Sequence, residues 1–153
     1  TPFMISMPQL PQLKDKKLNQ IISNVDWAPT ILDLAGISKP DFMQGESFLP
    51  VLKNPKIENW KKEGGYYHYY EYPGPHHVSP HFGIRTDDYV LIRFYKGVEA
   101  WELYDLKRDP KELDNLIDNK KYSTIKEELK QKLKTLILTN EDNEALEVFN
   151  QAL

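Results

Sequence analysis

Residues 66–106 read YYHYYEYPGPHHVSPHFGIRTDDYVLIRFYKGVEAWELYDL. YYHYYEY is crowded with aromatic residues that favour strands. FGIRT and DYVLIRFY flank Asp87 and Asp88, and aspartate favours tight turns, so this pair predicts a β-hairpin. After the KGVEA turn, WELYDL (101–106) gives a further strand. The stretch therefore predicts four antiparallel strands.

Such a sheet needs a cover for at least one face. From Tyr122 to Leu138 the apolar positions are Tyr122, Ile125, Leu129, Leu133, Leu136 and Ile137. Steps of three and four put them on one side of a helix, with Ser123 or Thr124 near its start. RDPKELDNL, between sheet and helix, reads as a polar turn anchored by Leu113 and Leu116. The closing EDNEALEVFNQAL is acidic and predicts a loose terminal helix.

Working towards the N-terminus, KKEGG (61–65) marks a break. Residues 36–60 carry prolines and glycines and read as a bridging loop with one helical turn near Ser47–Leu52. DWAPTILDLAG predicts a short helix. Asp26 is placed to cap it, Pro29 lies in its first turn, Ala28, Ile31, Leu32 and Ala35 form an apolar stripe, and Gly36 fits the left-handed stop. LNQIISNV (18–25) reads as a short extended piece. Phe3–Met7, bounded by Pro2 and Pro8, reads as a buried strand. The start at Thr-Pro, without an initiator Met, reads as a chain cut from something larger or as a processed N-terminus. The predicted class is α+β: a four-stranded antiparallel sheet with a C-terminal helix packed on one face, preceded by a strand and a helix.

Composition narrows the function. Hydrophobic residues make up 40% and charged residues 28%, which suits a globular protein. The formal charge of −3 offers no basic excess for a phosphate backbone, so a nucleic-acid partner is not expected. No apolar run has the length of a membrane helix. Without cysteine, disulfides, thiolate metal sites and thiol nucleophiles are excluded.

All four histidines, His68, His76, His77 and His81, fall within residues 66–81. HHVSPH offers three imidazoles to a metal, but Pro75 and Pro80 oppose the helix that would align them. His68 shares a strand face with Tyr66 and Tyr70, which predicts a packed, hydrogen-bonded ring. The others belong to a proline-stiffened connection, where binding residues concentrate. His76, His77 and His81 are therefore candidate binding residues, the alternative being a plain surface turn. Arg85 and Arg93 are expected to pair with Glu71 or Glu102. Asp105 and Asp109 are expected to shape the turn after the last strand.

Two longer motifs carry a resemblance. SNVDWAPTILDLAGI (23–37) followed by MQGESFLPVL (43–52), then ELYDLKRDPKELDNL (102–116), in that order around a tyrosine-rich strand, resemble the C-terminal part of the type I sulfatases. These enzymes belong to the alkaline-phosphatase-like superfamily. The resemblance runs from Thr1 to about Leu138. YYHYYEYPG and HFGIRTDDYVLI are similar to bacterial sulfatases acting on glycosaminoglycan or mucin-type sugars. The resemblance implies a parent enzyme that hydrolyses carbohydrate sulfate esters with a formylglycine nucleophile and calcium, in a periplasmic or secreted location. It makes residues 1–60 the remnant of an α/β catalytic domain and 61–153 an α+β subdomain.

The family's Cys/Ser-x-Pro-x-Arg nucleophile motif and its acidic metal pairs do not occur here. The chain alone is therefore expected to be inactive and to contribute loops to a sugar pocket, with no catalytic residue and no metal ligand of its own. Phe3, Ile5, Ile31 and Leu32, cut from the larger domain, would favour self-association. Two alternatives remain open: a carbohydrate- or protein-binding module without catalysis, and a phosphodiesterase or phosphonate hydrolase of the same superfamily.

Overall fold

Four strands form where the sequence predicts them: β1 (Gly65–Tyr69), β2 (His81–Arg85), β3 (Tyr89–Phe94) and β4 (Ala100–Asp105). In this computed structural model, residues 3–57, 60 and 62–152 are described. Pro2 and Lys61, which figured in the predicted strand boundary and break, lie outside them. The strands pair in sequence order as an antiparallel meander. The hairpin turn closes through Thr86, whose hydroxyl accepts from the amides of Asp88 and Tyr89.

The helix α3 (Ser123–Thr139) lies on the sheet. Leu129, Leu133 and Ile137 are buried against Phe82, Ile84, Leu91 and Leu103, as the spacing requires. Leu116 and Ile117 also pack there, and the Leu116 amide donates to the Leu103 carbonyl at 2.8 Å. Leu113, read as an anchor, is instead 77% exposed. The Asp109 carboxylate accepts from the amides of Leu113 and Asp114, so a polar turn rather than burial fixes that residue.

The terminal helix corrects a prediction. α4 (Asn143–Gln151) is not loose, because Ala145 and Phe149 are fully buried in the same core as α3. Its acidic composition hid two apolar positions four residues apart, which is one helical face. The Phe149 ring meets Trp101 edge-on at 5.8 Å.

The chain divides into two compact units, Thr1–Lys62 and Glu63–Leu153. The first has its own core of Phe48, Leu49, Val51 and Leu52, with Met7, Leu10, Ile22 and Trp60 packed on it. It contains α1 (Trp27–Leu34) and α2 (Leu49–Lys53). Gly36 ends α1 at φ +70°, as predicted. Phe3–Met7 takes no strand partner among the described residues. A strand needs a neighbour for its ladder, and the described residues of this unit supply none. Residues 18–23 form no ladder either.

Asp26 does more than the predicted cap, and it does it differently. It makes no side-chain cap to α1 and is fully buried. Its carboxylate accepts from the amides of Ser23 and Glu46 and from the Lys62 ammonium at 2.6 Å. Gly45 makes this closure possible, since a Cβ there would lie 1.9 Å from the Val25 carbonyl. The buried side of α1 is consequently Pro29 and Thr30, while Ile31 of the predicted stripe is 60% exposed. Thr30 anchors the helix by donating to the Asp26 carbonyl and accepting from the Phe48 amide.

Phe149→Ala tests the correction at α4. Deleting a buried phenyl costs about 3–5 kcal/mol, so the thermal midpoint of the second unit should fall sharply. An unchanged midpoint would mean that α4 is peripheral.

Candidate functional site

At one end of the sheet, residues 70–80 join β1 to β2 and residues 95–99 join β3 to β4. The two connections touch. The Ser79 hydroxyl accepts from the Val98 amide, and the Tyr72 hydroxyl lies against Gly97, which has φ +103°. His76 and His77 are exposed on the longer loop. His77 adopts φ +50°, and its amide donates to the Gly74 carbonyl at 3.1 Å, so the loop turns back at the histidine pair. Tyr70 and Tyr72 are exposed beside them.

The structure does not present the candidate histidines alike. His81 opens β2, and its Nδ1 donates to the Ser79 carbonyl at 2.9 Å. Its ring is half-buried between Tyr69 at 5.5 Å and Phe94 at 4.8 Å. Among the described residues, no group of three or more His, Asp or Glu side chains is placed to hold a metal ion.

His68 is packed and hydrogen-bonded, as its strand position predicts. It pairs with Phe82 on the face under the helices, with its side chain only 5% exposed. Its Nδ1 lies 2.6 Å from Asp142 Oδ2, and its Nε2 lies 2.5 Å from the Tyr95 hydroxyl. A carboxylate can only accept, so Nδ1 carries the proton between them. The Tyr66 hydroxyl donates to the same Asp142 oxygen at 2.7 Å. The other oxygen caps α4 by accepting from the Ala145 amide at 3.0 Å. Glu144 pairs with Lys96 at 2.6 Å.

The electrostatics follow from this arrangement. Burial, reinforced by the neighbouring Asp142, raises the Tyr66 phenol. Burial, with Glu144 and Asp142 nearby, raises Tyr95. Both stay neutral hydroxyls at physiological pH. Burial and Glu112 push Tyr67 up to about 12. Burial alone would raise the Asp142 carboxyl. The Ala145 amide, the Tyr66 hydroxyl and the His68 ring outweigh it and hold the group below its ordinary value.

The arginines find carboxylates, but not the expected ones. Arg85 pairs with Glu112 at 2.6 Å and Arg93 approaches Glu99 at 3.5 Å. Asp105 shapes the strand end as predicted, accepting from the Lys107 and Arg108 amides and the Tyr122 hydroxyl. Asp142, Tyr95 and Asn115 escaped the sequence reading. Asn115 accepts from the Leu103 amide and donates to the Trp101 carbonyl. The one legible signal was Asp142 itself, an acidic residue just before NEAL, which is a helix-start pattern.

Residues 1–139 match the family model described as N-sulphoglucosamine sulphohydrolase, C-terminal. The chain belongs to this family. An N-acetylglucosamine-6-O-sulfatase of Bacteroides thetaiotaomicron is 42% identical over 94% of this chain and 26% of the relative. A Δ4,5-hexuronate-2-O-sulfatase of the same organism is 31% identical over 93% of the chain and 29% of the relative. A structure solved in complex with its substrate D-glucosamine-2-N,6-O-disulfate superposes with TM-score 0.79 at 44% identity, covering 82% of this chain and 26% of that one. The chain thus spans about a quarter of the length of the curated relatives it matches. The resemblance read from the two motifs is borne out.

Asp142 makes acid stability a test of the site. Its folded pKa is lowered, so its contribution is present above the ordinary carboxylate range and is lost as pH falls through the lowered value. The melting temperature should therefore drop on acidification, and Asp142→Asn should flatten that limb. Parallel acid limbs in the two proteins would contradict the assignment.

Proposed function

We propose that this chain is the C-terminal part of a sulfatase that hydrolyses sulfate esters on carbohydrates, and that its 70–80 loop meets the sugar. The observation that carries the reading is the family match over residues 1–139, joined to 42% identity with an N-acetylglucosamine-6-O-sulfatase. That relative, and the neighbour solved with a disulfated glucosamine, favour a 6-O-sulfated glucosamine-type sugar within the glycosaminoglycan class. Residues 1–60 are assigned to the α/β catalytic domain and 61–153 to the C-terminal subdomain, in keeping with the division near Lys62.

The chain's own part is recognition. His76 and His77 would hydrogen-bond sugar hydroxyls or, when protonated, attract the sulfate ester. Tyr70 and Tyr72 offer exposed ring faces beside them. His81 would act from its aromatic stack at the base of the loop. The formylglycine and calcium of the family do not fit this chain's residues: there is no cysteine and no nucleophile motif, and among the described residues no group of three or more His, Asp or Glu side chains could hold a metal ion.

Replacing His76 or His77 by Ala in the full-length enzyme should lower kcat/KM on the sulfated saccharide about three- to hundredfold per residue. A small aryl sulfate that never reaches the loop should be turned over normally. Equal losses on both substrates would assign the histidines to the chemistry, and no loss on either would remove them from the site.

The isolated chain should turn over neither substrate. It should also self-associate, because Phe3, Ile5 and Ile31 leave apolar surface exposed. Sedimentation as a clean monomer at high concentration would count against the self-association.

A further inference from the structure

We propose that Asp142 is a positioning residue for the saccharide loop, gripping both ends of residues 70–80 through His68 and Tyr95. The inference rests on the reading of that loop as the sugar contact. At the entry, His68 is the second-last residue of β1, and its ring meets the ring of Tyr70, the first loop residue, edge-on at 4.7 Å. At the exit, the Tyr95 amide donates to the carbonyl of Pro80, the last loop residue, at 2.9 Å. The two gripping residues meet each other, His68 Nε2 against the Tyr95 hydroxyl, and Asp142 holds the far side of the imidazole.

Burial alone does not require this arrangement. Leu133, Ile137 and Phe149 already fill the core with no polar atoms. What the hydrogen bonds add is direction. An apolar ring at position 68 could settle in several orientations, whereas an imidazole tied at both nitrogens has one. That single orientation fixes the surface on which Tyr70 rests, and Tyr70 leads into the histidine turn. The carboxylate comes from the residue that caps α4, beyond the span of the family match.

The test compares four changes in the full-length enzyme, assayed on 6-O-sulfated glucosamine and on a small aryl sulfate. Tyr95→Phe keeps the buried ring and removes only the hydroxyl. Asp142→Ala removes the carboxylate and, with it, the α4 cap. Tyr66→Phe removes a hydrogen bond to the same carboxylate while leaving the His68–Tyr70 and Tyr95–Pro80 contacts to the loop ends in place. His76→Ala reports on the loop contact itself.

Tyr95→Phe and Asp142→Ala should raise KM for the saccharide about three- to tenfold, with kcat and the aryl sulfate kinetics unchanged. Amide exchange at Tyr95 and His77 should quicken in both. Tyr66→Phe should lower the melting temperature and leave KM alone. If Asp142→Ala fails to fold, Tyr95→Phe decides. An unchanged saccharide KM in Tyr95→Phe, with a raised KM in His76→Ala, overturns the positioning role and leaves the loop reading standing. A raised KM in Tyr66→Phe overturns it too, because the loss would then track stability. Unchanged saccharide kinetics in His76→Ala overturn the loop reading and this inference with it.

Discussion

The pairing of Tyr66 with Ile84 and of His68 with Phe82 commits alternate residues of β1 to the face that α3 and α4 cover. Side chains alternate strictly along a strand, so one register decides every other position. Phe82, Ile84, Leu91 and Leu103 go under the helices, with the polar His68, Tyr66 and Asp105 among them. His81 and Phe94, paired with each other, go to the opposite face. The four histidines, gathered within residues 66–81, are thereby divided between a buried hydrogen-bond network, an aromatic stack and an exposed turn.

Each unit is organised around a buried or half-buried carboxylate. A carboxylate out of water is costly unless donors surround it. Asp26 draws its donors from Ser23, Glu46 and Lys62, and so closes the first unit around the 43–47 segment. Asp142 draws donors from Tyr66, His68 and Ala145, and so ties α4 to the edge strand β1. In both cases the partners are distant in sequence, and the carboxylate specifies a geometry that apolar packing would leave free.

The site and its scaffold are separated along the sheet. Loops 70–80 and 95–99 share one end, where exposed tyrosines and histidines gather. The 86–88 turn and the 106–122 connection, bound by Thr86, Asp105 and Asp109, hold the other end with backbone hydrogen bonds. Recognition of a sugar is proposed for the first end. The chain spans about a quarter of the relatives' length, and no Cys/Ser-x-Pro-x-Arg motif occurs in it.

The sequence by itself determined the four strands, the hairpin turn, the inward face of α3, the left-handed stop at Gly36 and the family. These rest on local period, turn chemistry and motifs, all written in neighbouring residues. It placed His68 in the packing and His76 and His77 on a loop for the same reason. Tertiary structure alone decided the rest. Asp26 became a hub rather than a cap because Lys62 and Glu46 come to it from far along the chain. Phe149 entered the core although its acidic helix looked peripheral. Phe3–Met7 found no strand to pair with among the described residues. Arg85 and Arg93 chose Glu112 and Glu99, since loop geometry and not strand register brought those carboxylates near. The Asp142–His68–Tyr95 chain joins three elements 27 to 74 residues apart, and no local pattern in a sequence encodes which distant donor a buried carboxylate will meet.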